Sequence, residues 1–307
     1  MTQRLWNNAG LIAAMVVLGL SGGGPQPAQA NALPKRIVSL NLCTDQLVMM
    51  LAGPERIAAV SHLALDPKLS VLAEYAKRLP ITYGQAEEVF LHEPDLVVAG
   101  SFHLNPTVDI LRRLGIKVEE FASADSFAGI RENVRRMGRL LGTQEKAEAM
   151  LAEFDSRLAR VERQRVARPA LAALYYANSY TSGADTLAAE VVERAGFNNL
   201  GTELGLKGTA ELPLEMLIME QPDLVVTGLA YDAPARAQEV FEHPALAYLE
   251  RRSKNTAVPE NLWICGTPYT ARAVEALAAV RRSLPAETAA VADPAGAQPA
   301  GSPFERR

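Results

Sequence analysis

Glu87-Glu-Val-Phe-Leu-His-Glu-Pro-Asp-Leu-Val-Val98 returns as Glu215-Met-Leu-Ile-Met-Glu-Gln-Pro-Asp-Leu-Val-Val226, at a constant offset of 128 residues. Each copy reads as a short helix delivering a buried strand. The proline cannot continue a helix, and Leu-Val-Val is apolar on both faces, as a parallel strand covered on both sides requires. Two such copies predict two related lobes. Glu87 and Glu215 occupy the same place, seven residues before the proline. Helix propensity and the macrodipole are enough to put a glutamate near a helix start; the other reading is a pair of functional carboxylates in matched positions.

Outward from the repeat, short apolar runs alternate with helical stretches. Lys35 to Leu40, Arg56 to Val60, Asp95 to Ala99 and Lys117 to Phe121 read as strands before the change of composition at Gly142. Ala170 to Tyr176, Asp223 to Thr227 and Thr256 to Val258 read as strands after it. This alternation predicts an α/β fold of two βα lobes, each with a central, mainly parallel sheet. From Thr143 to about Arg168 runs a charged stretch free of Gly and Pro, with Ala147, Met150, Leu151, Phe154, Leu158 and Val161 at helical spacing. It predicts one long helix with Thr143 as its N-cap, a rod of about 38 Å at 1.5 Å per residue, long enough to join two lobes. An ordinary surface helix would carry the same amphipathic face.

The expected organisation is a signal peptide over 1–30, an N-terminal lobe over 34–142, a connecting helix over 143–168, a C-terminal lobe over 169–284 and a disordered tail over 285–307. Arg4 precedes an apolar run from Ala9 to Leu20, and Ala28-Gln29-Ala30 offers a small-x-small cleavage site; this is a secretory pattern whose apolar core is too short to span a bilayer. No cysteine sits at the cleavage site to carry a lipid, so a freely diffusing periplasmic protein is expected. The tail, rich in Ala, Pro and Gly, has no periodicity. Of 307 residues, 49% are hydrophobic and 21% charged, with 31 Lys plus Arg against 35 Asp plus Glu. Without a basic run, a nucleic-acid partner is excluded.

In this order and spacing the chain resembles the periplasmic solute-binding proteins of ABC importers for cobalamin, haem and ferric siderophores. The resemblance covers about residues 34 to 284 and rests on Arg36-Ile-Val-Ser-Leu40, the Pro-Asp-Leu-Val-Val signature, the connecting helix, Thr181-Ser-Gly183 and Trp263 to Pro268. It implies two lobes joined by one long helix, no enzymatic activity and no resident cofactor. The implied partners are a small-molecule metal chelate and an ABC permease dimer in the inner membrane, the protein itself being a monomer. In that family a glutamate on each lobe docks onto arginines of the permease, and Glu87 and Glu215 match those positions. Charge-assisted contacts to Arg suit two exposed carboxylates held apart by a rigid connector.

In open α/β sheets ligands sit beyond the carboxyl ends of the strands. That selects Asn41, Leu42, Cys43, Thr44, Ser61, His62, Tyr83, Ser101, Phe102 and His103 from the first lobe. From the second it selects Tyr176, Tyr180, Tyr231, Trp263, Cys265 and Tyr269. Such a concentration of aromatics suits a large planar ligand. The absence of Arg and Lys from these loops disfavours a multiply anionic chelate such as ferric citrate and favours cobalamin. The loop Asn261 to Cys265 departs from the cobalamin binders in lacking nearby acidic and basic residues, which keeps haem or a ferric siderophore as an alternative cargo, with His62 or His103 able to supply a nitrogen to haem.

The two cysteines, Cys43 and Cys265, fall on loops of opposite lobes in an oxidising compartment. A disulfide, a thiolate contact to a metal centre and two separate buried thiols are all consistent with that placement. A rival of another class is a secreted metal- or haem-dependent redox protein working through the same two cysteines. No Gly-x-Ser-x-Gly elbow, phosphate loop, His-Glu-x-x-His helix or Cys-x-x-Cys pair occurs, so the usual hydrolytic, nucleotide and redox signatures are missing.

Overall fold

Both copies of the repeat end their helix in the same way. A proline disfavours the right-handed helical region for the residue before it, and here that residue is left-handed in each copy, Glu93 at φ 46° and Gln221 at φ 45°. The aspartate after the proline then fastens the neighbouring strand. Asp95 accepts hydrogen bonds from the backbone N–H of Lys35 (2.7 Å) and Arg36 (3.0 Å), and Asp223 accepts one from Leu171 N–H (2.9 Å). The Arg36 guanidinium returns the contact, donating to the carbonyls of His92 and Glu93 at the carboxyl end of the helix, where a cation meets the negative pole.

The computed structural model describes residues 32–101, 106–168, 170–228, 236–250 and 253–284. The segments expected as signal peptide and tail lie outside these residues, as do Phe102, His103 and Tyr231. The first lobe holds β1 (Ile37–Ser39), β2 (Ile57–Ser61), β3 (Ile81–Thr82), β4 (Leu96–Gly100) and β5 (Val118–Phe121), with α1 (Leu42–Leu51), α2 (Ala73–Ala76), α3 (Ala86–Leu91) and α4 (Pro106–Arg113) between them. Two helices follow, α5 (Phe127–Leu141) and α6 (Gln144–Arg163). The second lobe holds β6 (Ala170–Tyr175), β7 (Tyr180–Ser182), β8 (Phe197–Asn199), β9 (Thr209–Glu211), β10 (Leu224–Thr227) and β11 (Lys254–Ala257). Its helices are α7 (Leu187–Arg194), α8 (Leu200–Glu203), α9 (Leu214–Glu220), α10 (Pro244–Glu250) and α11 (Thr270–Ser283).

The first sheet is parallel, in the order β3-β2-β1-β4-β5, and the second is parallel in the order β11-β10-β6-β8; β7 and β9 form a separate antiparallel pair. The repeat strands occupy matching places, with Leu96 opposite Ile37 and Leu224 opposite Ala172. All five residues of β4 are buried, as helices on both faces of a parallel sheet demand. The fold is therefore two α/β lobes, each with a parallel central sheet, linked by long helices.

The linker is a helical hairpin. Gly142 sits at φ 70° and Thr143 N–H bonds Gly138 O at 2.8 Å, a Schellman stop for α5 that an L side chain would strain. Thr143 takes the N-cap position of α6, but its hydroxyl makes no capping bond and is buried without a partner; the glycine turn does the work expected of it. Helix α6 has 20 residues, about 30 Å rather than the longer rod expected. Its last turn tightens, Gln164 N–H bonding Val161 O and Arg165 N–H bonding Glu162 O, before Pro169. The apolar face is as spaced: Ala147, Leu151, Phe154 and Val161 are buried, with Met150 and Leu158 packed beside them. Through Phe154, edge-on to Phe127 at 5.5 Å, this face belongs to one apolar core that also takes in Ile37 of the first sheet and Leu174 of the second.

Candidate functional site

The first wall of the site begins where β1 ends. Asn41 leaves the strand extended and caps α1, its side chain accepting from Cys43 N–H (2.9 Å) and Thr44 N–H (3.4 Å). Thr44 is buried, its hydroxyl 2.8 Å from Ser39 Oγ and donating to Asn41 O at 2.9 Å. The side chains of both residues, expected at a ligand, are engaged at the helix start: Asn41 takes the orphan N–H groups of the first turn, and the Thr44 hydroxyl is bound to Ser39 and to the Asn41 carbonyl. Leu42 is buried too.

Beneath them Asp45 is fully buried and accepts from Ser61 Oγ (2.5 Å) and Ser61 N–H (3.2 Å). Burial pushes its carboxyl up to about 7, against the opposing pull of hydrogen bonds from Ser39 and Ser61. Ser61 is thereby buried and committed as well.

His62 and Tyr83 are different. They follow β2 and β3, are both exposed, and stack on one another with ring centroids 4.9 Å apart and 22° between planes. Glu88 holds the Tyr83 backbone N–H at 2.8 Å, which fixes the loop beneath the ring. The described part of the first wall therefore presents a two-ring aromatic face.

On the second lobe Tyr176 N–H bonds Tyr180 O at 2.8 Å, closing a tight loop that leaves Tyr180 45% exposed. The Tyr176 phenol is half-buried and accepts from Ser182 Oγ at 3.3 Å. Burial, with the Glu260 carboxylate adding to it, pushes that phenol up to about 12, so it stays neutral at ordinary pH. Trp263 packs against the common core, and Cys265 is buried. Tyr269 does not join them. It precedes α11 and lines a separate cavity of about 380 Å³ with Met150, Phe154 and Arg157 of α6, under the Arg272 guanidinium at 4.8 Å.

Where the lobes meet, Cys43 and Cys265 are joined as a disulfide, with Cα atoms 5.1 Å apart. Three further contacts reinforce the seam. Asn261 Nδ2 donates to Pro67 O (2.7 Å) and Phe127 N–H donates to Glu190 Oε2 (2.7 Å). Gly266 lies so close to the first lobe that a Cβ there would stand 2.4 Å from Ala124 Cβ. The pocket left between Asn41, Cys43, Thr44 and Gly266 is about 10 Å³, the room of a single water. Pro67 and Glu190 carry no signal in the sequence, and Asn261 and Gly266 lie in stretches read there for other reasons.

Glu87 and Glu215 are both exposed second residues of their helices, α3 and α9. Among the described residues no group of three or more His, Cys, Asp or Glu is placed to hold a metal ion, and no helix is long and apolar enough to cross a membrane.

Two parallel-sheet lobes, pinned at a seam and bridged by a helical hairpin, with aromatic loops at the strand ends, define a bilobal binding protein. The chain belongs to the periplasmic binding protein family, whose profile matches residues 37–251, and its location is the periplasm. It is 31% identical over 211 residues to a cobalamin-binding protein of Halobacterium salinarum, a match covering 65% of this chain and 55% of that one. The chain thus spans little more than half the length of that curated relative. Among solved structures it is similar to a periplasmic heme-binding protein from Pseudomonas aeruginosa, at 24% identity and TM-score 0.67 over 81% of this chain and 92% of that one. It is similar also to one from Roseiflexus sp. RS-1, at 21% and 0.66 over 80% and 97%. The vitamin B12-binding protein of Vibrio cholerae follows at 19% and 0.60 over 81% and 97%. These likenesses establish the fold.

Proposed function

We propose that this protein captures a metal chelate of the haem, ferric-siderophore or cobalamin class between its lobes and hands it to an ABC permease through Glu87 and Glu215. Its work is reversible binding rather than catalysis. The observation that carries this is the stacked, exposed His62–Tyr83 pair at the strand ends of a periplasmic binding protein. Flat rings standing in solvent at a sheet's carboxyl end are a surface for a flat ligand. Haem is favoured within the class: His62, Tyr83 and Tyr180 offer imidazole and phenol groups that an iron accepts. Two of the similar structures are of heme-binding proteins. Cobalamin is the second reading, supported by the cobalamin-binding relative from Halobacterium salinarum.

With Cys43 and Cys265 paired, neither sulfur is free as a thiolate ligand for the cargo. The test is a titration of the purified protein with haemin, cyanocobalamin and a ferric hydroxamate, followed by calorimetry and absorbance. Saturable one-to-one binding of one of the three, recovered unchanged on release, is the expected result. Binding of none, or chemical conversion of the one bound, overturns the proposal.

A further inference from the structure

We infer that Leu91 and Met219 are a matched pair of apolar anchors which, with Glu87 and Glu215, form two equivalent feet for a two-fold symmetric membrane permease. The inference rests on the reading above that the two glutamates face that permease.

Leu91 and Met219 stand at the same position of the repeat, 128 residues apart. Among the described residues they are the two most exposed large hydrophobic side chains, at 80% and 74%. A single exposed leucine needs no explanation; the same exposure at the same repeat position, twice, does. Each follows its glutamate by four residues on a helix that contains both, so carboxylate and apolar side chain share one face. The equivalent residues Val89 and Leu217 are buried and seat the two helices on their lobes. Helix α4 packs beside α3 and exposes Ile110, while α10 packs beside α9 and exposes Tyr248.

The occupant follows from charge and repetition. Two acidic residues call for two cations on the partner, and two equivalent feet call for a partner that repeats its surface, as a dimer of identical subunits does. Exposed ion pairs steer and orient encounter but hold weakly. Apolar side chains that become buried at the centre of each contact supply the hold.

The test replaces Leu91, and separately Met219, by a benzophenone amino acid in cells of the source organism. Both positions are expected to crosslink to one and the same membrane-spanning polypeptide. Crosslinks to different proteins, or none, overturn the inference. Alongside it, a Leu91→Ser/Met219→Ser variant and a Glu87→Lys/Glu215→Lys variant are compared for uptake of haemin and cyanocobalamin and for affinity toward the same compounds in solution. The serine variant is expected to lose about tenfold in uptake with solution affinity unchanged. If only the lysine variant loses uptake, the anchors are wrong and the docking reading stands; if neither does, both fall.

Discussion

Cys43, in the first turn of α1, and Cys265, just ahead of α11, lie 222 residues apart in the chain and are joined by a disulfide that ties one lobe to the other. A crosslink closing so long a loop constrains the unfolded chain strongly, by roughly 5.4 kcal/mol on the chain-entropy account. Reduction, or a Cys43→Ala/Cys265→Ala variant, is expected to lower the melting temperature by on the order of 10 °C. Scanning calorimetry with and without reductant checks this, and an unchanged midpoint would mean that the pairing holds nothing.

The seam also depends on Gly266. A side chain there meets Ala124 Cβ and the Ala124 carbonyl at once, so the loop carrying Cys265 would have to lift off the first lobe. Gly266→Val is expected to destabilise by about 2–3 kcal/mol through overpacking, read as a lower urea midpoint, whereas Gly205→Ala, with open space beyond its Cβ, carries only the smaller cost of its left-handed backbone.

Asp45 makes stability depend on pH. Its folded pKa is raised from 3.8 to about 7 by burial, so the folded state holds a proton that the unfolded state releases. That contribution is full below about 4, falls as pH rises toward 7 and is flat above, at a slope on the order of 1 kcal/mol per pH unit. Asp45→Asn, which keeps an acceptor for Ser61, is expected to flatten the profile in that window. Denaturation midpoints at several pH values for both proteins decide it; parallel curves would dissociate Asp45 from the trend.

Tyr83 and His62 form the aromatic face proposed to meet the cargo. Tyr83→Ala and His62→Ala are each expected to weaken chelate binding by about tenfold, while Tyr269→Ala, whose ring lies against α6, leaves affinity unchanged. Calorimetric titration of the three variants separates the cleft from the distant cavity.

The fold was legible wherever burial prints itself on the chain. Parallel strands covered on both faces are largely apolar runs, so β1, β2, β4, β6 and β10 could be read, the edge strands β5 and β11 carry only part of that pattern, and the apolar face of α6 was spaced correctly. Very short strands without an apolar run, such as β3 (Ile-Thr) and β8 (Phe-Asn-Asn), leave too little pattern. The site was less legible because residue type does not announce which neighbour a polar group will choose. Asn41 and Thr44 are hydrophilic residues at a strand end, as a ligand contact would be, yet the side chain of Asn41 is taken by N–H groups of α1 and that of Thr44 by Ser39 and the Asn41 carbonyl. The seam is built from a backbone carbonyl at Pro67 and a missing side chain at Gly266, neither of which stands out in a string of letters.

The pinned seam also bears on how a cargo is met. Jaws that shut on their prey lose freedom at the moment of capture, whereas walls fixed at manufacture have surrendered that freedom already, during folding in the oxidising compartment. A slot of this kind takes its guest at a rate set by diffusion and orientation rather than by closure. On the function proposed above, letting go would then fall to the transporter, acting on two walls that a covalent bond holds together at one end.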